Sequence, residues 1–254
     1  LIAVLFSDFL ISCTNLFSYS PFDINLKTQH LNANSIESLQ SVVVSNNDTI
    51  RIAVISDTHN NYDDLEDAIT SINRMDDIRF VICCGDITNW GTTDEFRWYK
   101  ERIEKSNIPV ITMIGNHDYL SNGYLVFQRM FGDTSFSFTY AGYNFVFFDD
   151  VVWENNNQAP DFAWLQNSLS TTKKNLLFAH IPVWSDQLEG TFAQQMDSII
   201  SDNGVIGAIY GHDHSYEHLT RDGTDQYMIN DIDDRCFALV ALSGSQMTLR
   251  ILEY

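Results

Sequence analysis

From Ile50 onward the chain alternates short apolar runs with stretches whose apolar residues recur at helical spacing. Ile50–Ser56 reads as a strand, and Tyr62–Met75, with Leu65, Ala68, Ile69 and Ile72 on one face, as an amphipathic helix. Phe80–Cys84 is the next strand, Asp94–Lys105 the next helix and Ile108–Ile114 the third strand, an order that predicts a parallel βαβαβ unit. After a helix over Tyr124–Met130, the runs Phe136–Tyr140 and Asn144–Phe148 flank Ala141-Gly142, a hairpin signal that turns the pairing antiparallel. Asp161–Leu169 predicts a helix, Asn175–Ala179 a strand, the region around Phe192–Ile200 a helix and Val205–Tyr210 a strand. Arg235–Leu242 and Gln246–Glu253 close the body as two more strands, while Thr220–Gln226 reads as a solvated turn.

The residues before this body have a different character. Leu1–Ile11 is an apolar stretch too short to span a bilayer, which takes about 20 residues, and it resembles the apolar region of a secretory signal. Leu10-Ile11-Ser12-Cys13 resembles a bacterial lipobox, in which the cysteine is lipidated and becomes the mature N-terminus. Residues 1–13 are therefore expected to be a signal and lipobox segment. Residues 14–48, rich in Asn and Ser, are expected to form a tether in which a short helix begins near Asn34–Leu39, and residues 49–254 the main domain. On this reading the protein is a lipoprotein of the cell envelope, periplasmic or at the surface and held to the membrane through Cys13, or otherwise secreted.

A length of 254 residues with 44% apolar content supplies a sizeable core. The net charge of −20, with only 14 Lys and Arg, argues against binding nucleic acid through a basic surface. A phosphate-bearing substrate would need its charge met by something else, and metal ions would serve. The four cysteines form no disulfide framework, and the adjacent Cys83 and Cys84 read as buried free thiols on opposite faces of one strand.

Five apolar runs end in residues of metal-ligand type: Asp57 and His59, Asp86, Asn116 and His117, His180, and His212 and His214. Five of the seven histidines occupy these positions. In open α/β sheets sites gather at the carboxyl ends of strands, so one crevice would collect the whole set. Period-two spacing would put each of the pairs Asp57/His59 and His212/His214 on one side if the backbone stays extended. The same rule would part Asn116 from His117, one coordinating and the other facing substrate. Each residue alone has an ordinary explanation as a cap, a turn residue or a core histidine; the constellation has none.

The blocks Asp57-Thr58-His59, Gly85-Asp86, Gly115-Asn116-His117-Asp118, His180 and Gly211-His212-Asp213-His214 resemble the five motifs of the calcineurin-like metallophosphoesterase superfamily. The resemblance covers Ile50 to Tyr254 and implies a four-layer α/β/β/α sandwich with mixed sheets and a dinuclear metal centre. Carried over position by position, it implies one divalent ion (Mn, Fe or Zn) on Asp57, His59 and His214, a second on Asn116, His180 and His212, and Asp86 bridging them. It further implies attack of a metal-bridging hydroxide on the phosphorus of a small monoester or diester, with Asn116 and His117 at the substrate and His117 as the catalytic imidazole. Some relatives support that imidazole with an Asp three residues beyond the bridging Asp; Asn89 stands there and puts a charged His–Asp dyad in doubt. Purple acid phosphatases place a Tyr at that position, so Asn89 also argues against that branch. Asp118 and Asp213 read as at most supports for the imidazoles, with Asp213 a solvated loop acid. Trp153 and Trp184 read either as stacking surfaces for a base or sugar or as loop packing, and Asp231–Asp234 as a weak calcium site at best. A pyrophosphatase acting on nucleotide or lipid diphosphates, and a non-catalytic interaction module on the same fold, are the competing functions.

Overall fold

A computed structural model describes residues 20, 22, 24, 26, 28–42, 49–188 and 190–254. The signal-like segment and Cys13 lie outside the described residues, and among the described residues no helix is long and apolar enough to cross a membrane. The elements run α1 (Leu31–Gln40), β1 (Ile50–Ile55), α2 (Tyr62–Ile72), β2 (Ile78–Cys83), α3 (Thr93–Ile103), β3 (Val110–Thr112), α4 (Gly123–Met130), β4 (Phe136–Tyr140) and β5 (Tyr143–Phe148). They continue with α5 (Phe162–Ser168), β6 (Lys174–Ala179), α6 (Thr191–Asp202), β7 (Val205–Tyr210), β8 (Glu217–Arg221), β9 (Thr224–Met228), β10 (Cys236–Ser243) and β11 (Gln246–Glu253).

Two mixed sheets result, in the orders β11-β10-β1-β2-β3 and β4-β5-β6-β7-β9-β8. The strands β1, β2 and β3 are parallel, as are β5, β6, β7 and β9, while β4, β8, β10 and β11 pair antiparallel at the flanks. Strand alternation builds the layers. Ile52, Val54, Phe80 and Ile82 meet Phe145, Phe147, Leu176 and Phe178 between the sheets. Their neighbours Ala53, Ile55, Val81 and Cys83 face outward onto α2, α3 and α4, and Val146, Phe148, Leu177 and Ala179 face α5 and α6. Strands covered on both faces need continuous apolar runs, which is why these stood out in the sequence. Cys83 and Cys84 are free and buried, on opposite faces. Burial pushes the Cys83 thiol up to about 12 and Cys84 well above its ordinary value.

Two segments differ from the sequence expectation. Thr220–Gln226 is the centre of a hairpin, β8 paired with β9 through Asp222-Gly223, both at positive φ. Strand β8 forms the edge of its sheet and is only half-buried, so it carries no apolar alternation, and the Asp-Gly turn was the sole signal. The early helix spans Leu31–Gln40 and docks on the edge strand β3, where Asn32 takes both main-chain groups of Thr112, at 2.7 and 2.9 Å.

Candidate active site

All the strands that carry ligand-type residues run parallel within their sheets and end at one rim. The loops after β1, β2 and β3 bring Asp57, His59, Asp86, Asn116 and His117, and those after β6 and β7 bring His180, His212 and His214. The sheets are stitched together there. His180 Nδ1 donates to the Cys84 carbonyl at 2.7 Å, and the His212 N–H reaches the Asp57 carboxylate at 3.0 Å. Gly115 and Gly211 permit the approach, since a Cβ on either would strike the side chain of Asp86 or Asp57.

The ligand atoms fall into linked groups. His59 Nε2 lies 3.1 Å from His214 Nε2, which lies 3.5 Å from Asp57 Oδ1. Asn116 Oδ1 lies 3.1 Å from His180 Nε2 and 3.0 Å from His212 Nδ1. Asp86 stands between them, its Oδ2 3.3 Å from His180 Nε2 and 3.8 Å from His59 Nε2, while its Oδ1 accepts the His117 N–H at 2.8 Å. Two ligands each about 2.0 to 2.2 Å from a shared ion stand about 2.8 to 3.6 Å apart at octahedral or tetrahedral angles. Most of these separations lie in that range, so the donor set fits divalent cations.

The outer nitrogens fit as well. A ligating imidazole normally donates its other N–H to a carbonyl or carboxylate. His59 Nδ1 faces the Thr88 carbonyl at 3.3 Å, His180 Nδ1 that of Cys84, and His214 Nδ1 the Asp231 carboxylate at 3.4 Å. His212 Nε2 lies 3.8 Å from Asp213, which is exposed. His117 Nδ1 donates to the main-chain carbonyl of Asn89 at 2.9 Å, so Nε2 is the ring nitrogen that this carbonyl does not engage. Asn89 is held in turn, because the buried Glu95 carboxylate accepts the N–H groups of Asn89, Trp90 and Thr92 at 3.1, 3.2 and 2.9 Å. The support of His117, which Asn89 left in doubt, comes from the main chain of that residue.

Charge here is arranged to receive a cation. Burial alone would push the His180 imidazole down, but Asp86 and then Asp57 outweigh it and raise it well above its ordinary value. Burial would raise Asp57 and Asp86, yet the surrounding imidazoles, His214 and His180 for Asp57 and His180 for Asp86, hold both below the usual carboxylate range. Burial lowers His59 and His212, whereas the hydrogen bond with Asp57 raises His214.

The period-two expectation fails in its mechanism. Asp57, His59, Asp86, His212 and His214 all have positive φ, and Asn116 and His117 lie in a turn of 3-10 helix rather than on extended backbone. The pairs converge because left-handed residues fold the loops back, a conformation Asp and His tolerate better than most residues and one that concentrates at functional sites. Asp118 orients no imidazole. It is fully buried and ties loops together, accepting from Gly115 N, Thr88 N and Thr88 Oγ1 at 3.0, 3.0 and 2.7 Å. Trp184 packs its ring against Tyr210 at 5.6 Å, and Trp153 is exposed.

Sequence reasoning passed over Asp150, which accepts the His180 and Ile181 N–H groups at 3.2 and 3.1 Å. Its signal was the same as for the other sites, an apolar run ended by carboxylates. Burial pushes the Asp150 carboxyl from 3.8 up to about 8. A carboxyl raised on folding binds its proton more tightly in the folded state, so its contribution to stability is full below about pH 4 and is lost as pH rises toward 8. Asp150→Asn keeps an oxygen for the same N–H groups and should flatten that fall, read as urea midpoints at pH 5 and pH 8.

The calcineurin-like phosphoesterase family model matches residues 50–216. The serine/threonine-protein phosphatase CPPED1 of Homo sapiens is 25% identical over 147 residues, 49% of this chain and 46% of that protein. A probable cyclic nucleotide phosphodiesterase of Xenorhabdus bovienii (strain SS-2004) is 32% identical over 65 residues, 26% of each chain. Each match spans less than half of the relative's length. Among solved structures, GAP50, the anchor in the inner membrane complex of Plasmodium, aligns with a TM-score of 0.59 at 15% identity, covering 81% of this chain and 84% of that one. The protein TT1561 of Thermus thermophilus aligns with a TM-score of 0.57 at 10% identity, covering 80% and 99%. These likenesses concern the α/β fold with two mixed sheets.

Proposed function

Because the chain belongs to the calcineurin-like phosphoesterase family, we propose that it is a metal-dependent phosphohydrolase cleaving a phosphomonoester or phosphodiester bond of a small substrate. The observation that carries this reading is the convergence of imidazole, amide and carboxylate atoms at one rim, with the outer nitrogens of His59, His180 and His214 facing hydrogen-bond acceptors. In this reading Asp57, His59 and His214 hold one divalent ion, Asn116, His180 and His212 hold a second, and Asp86 serves both. Metal ions bound there supply the positive charge that a phosphate needs and lower the pKa of water. That charge matters in a chain of net charge −20.

His117 then acts on the substrate. Its Nδ1–H is spent on Asn89, so Nε2 is free to stabilise phosphoryl oxygen charge or to pass a proton to the leaving oxygen. Asn116 presents the same rim to the substrate. The names of the curated relatives, one a protein phosphatase and one a cyclic nucleotide phosphodiesterase, bracket the ester types to be tried. Hydrolysis of para-nitrophenyl phosphate and of its bis ester with added manganese tests the proposal, together with metal content by elemental analysis. Silence on both esters from a metal-free protein would overturn it.

Two further outcomes follow. Asn89→Ala leaves the main-chain carbonyl in place, so kcat/KM should stay within about threefold of the parent, a loss of under about 1 kcal/mol of transition-state stabilisation; a large loss would make the side chain the support. Anchoring through Cys13 belongs to the same proposal, and Cys13→Ser should move the full-length protein out of the membrane fraction of a Gram-negative host. Unchanged partitioning would end that part of it.

A further inference from the structure

Glu154 lies on the loop that follows β5, next to the exposed Trp153. Its Oε1 accepts a hydrogen bond from Asn116 Nδ2 at 3.0 Å. Its Oε2 is buried and has no hydrogen-bond partner among the described residues. Asn116 Nδ2 is the donor of that bond, so Glu154 takes the N–H end of the amide and turns Asn116 Oδ1 toward His180 and His212. The opposite orientation of the amide would set oxygen against oxygen.

The second oxygen is left over, and a buried acceptor without a donor costs free energy that a ligand can return. It lies within the width of one carboxylate from the Asn116 amide, hence beside the site. The neighbouring loop after β6, the strand paired in parallel with β5, carries two more buried polar atoms with no hydrogen-bond partner among the described residues, Trp184 Nε1 and Gln187 Oε1.

We propose that Glu154 is a specificity-determining residue: one oxygen fixes the Asn116 amide, and the other receives a hydrogen-bond donor, a hydroxyl or an ammonium, carried by the substrate next to its phosphate. This inference rests on the phosphohydrolase reading above. It narrows the substrate class to phosphate esters of small alcohols bearing a second hydroxyl or an amine.

The test compares kcat/KM for ethyl, 2-hydroxyethyl and 2-aminoethyl phosphate in the parent, E154Q and E154A, with para-nitrophenyl phosphate as a reference and metal content measured on each protein. The parent should prefer one or both donor-bearing esters to ethyl phosphate by about 10-fold or more, the scale of a hydrogen bond to a charged group. Which of the two leads tells hydroxyl from ammonium. E154Q can still accept from Asn116 Nδ2, so it should keep its metal, but it offers an N–H where the donor arrives and should lose most of the preference. E154A should lose both the preference and part of the metal. Equal kcat/KM on the three esters in the parent, or a preference that survives in E154Q, overturns the proposal; full metal retention in E154A overturns the amide-fixing half. A parent protein silent on para-nitrophenyl phosphate and free of metal fails the phosphohydrolase reading itself, a result distinct from the other three.

Discussion

Replacing His117 with alanine should lower kcat on alkyl phosphate esters by about 10²- to 10⁴-fold, the usual contribution of a positioned general acid, while elemental analysis finds the metal content unchanged. The imidazole is anchored at both ends of its residue without recourse to a cation: its N–H donates to Asp86 Oδ1 and its Nδ1 to the Asn89 carbonyl. Removing the ring leaves the first bond intact, because that bond belongs to the backbone. The Asp86 carboxylate is therefore still held, and so is its Oδ2 toward His180. The loss should depend on the leaving group. An alkoxide needs a proton and a nitrophenolate hardly does, so the variant should suffer less on para-nitrophenyl phosphate than on ethyl phosphate. His117 also lies within reach of His59 and Asp86 as a third donor, and loss of metal from the alanine variant would make it a ligand and refute the role assigned.

Gly115→Ala should do the reverse, stripping the metal and destabilising the fold together. A Cβ at Gly115 would collide with the Asp86 carboxylate and the Asp86 main-chain nitrogen. Neither can move aside: the carboxylate is fixed by the His117 N–H, and the loop bearing Asp86 is bonded through Ile87 and Thr88 to Asp118. Overpacking of this kind costs about 3 kcal/mol at the upper end of its ordinary range, and here it falls on Asp86, the residue proposed to serve both ions. Urea denaturation and metal content should both report the damage. Gly142→Ala is the control: its Cβ would meet nothing within 4 Å, and its positive φ costs about 1 to 2 kcal/mol. The control should keep its metal, and a Gly115→Ala protein that also does so would refute the collision.

The outcome for the sequence reading follows from what each signal measured. Apolar runs such as Ile50–Ile55 and Lys174–Ala179 announced themselves because both their faces are covered, so the pattern and the packing were one fact. Polar residues closing those runs were legible for the same reason. Asp150 escaped notice although it follows the same rule after Phe148, since it meets main-chain N–H groups across the sheet and has no motif of its own. Asp231 was hidden by the misread hairpin: with β8 and β9 taken for a turn, nothing connected it to His214. The loop after Phe148 was placed near the site by the strand before it, but nothing in its sequence distinguished the Glu154 carboxylate as the partner of Asn116. The support of His117 was out of reach for a deeper reason, since a carbonyl oxygen is present at every residue and leaves no letter in the sequence.

Thr88, Asn89 and Cys84 set the tautomers of His59, His117 and His180 through atoms that no codon change can delete. Substitutions at these three positions should therefore be limited by fit to their surroundings and not by the proton chemistry. A library randomising residue 89 should return many active clones of unrelated side chains, whereas one randomising Glu95, whose carboxylate holds that loop in place, should return few.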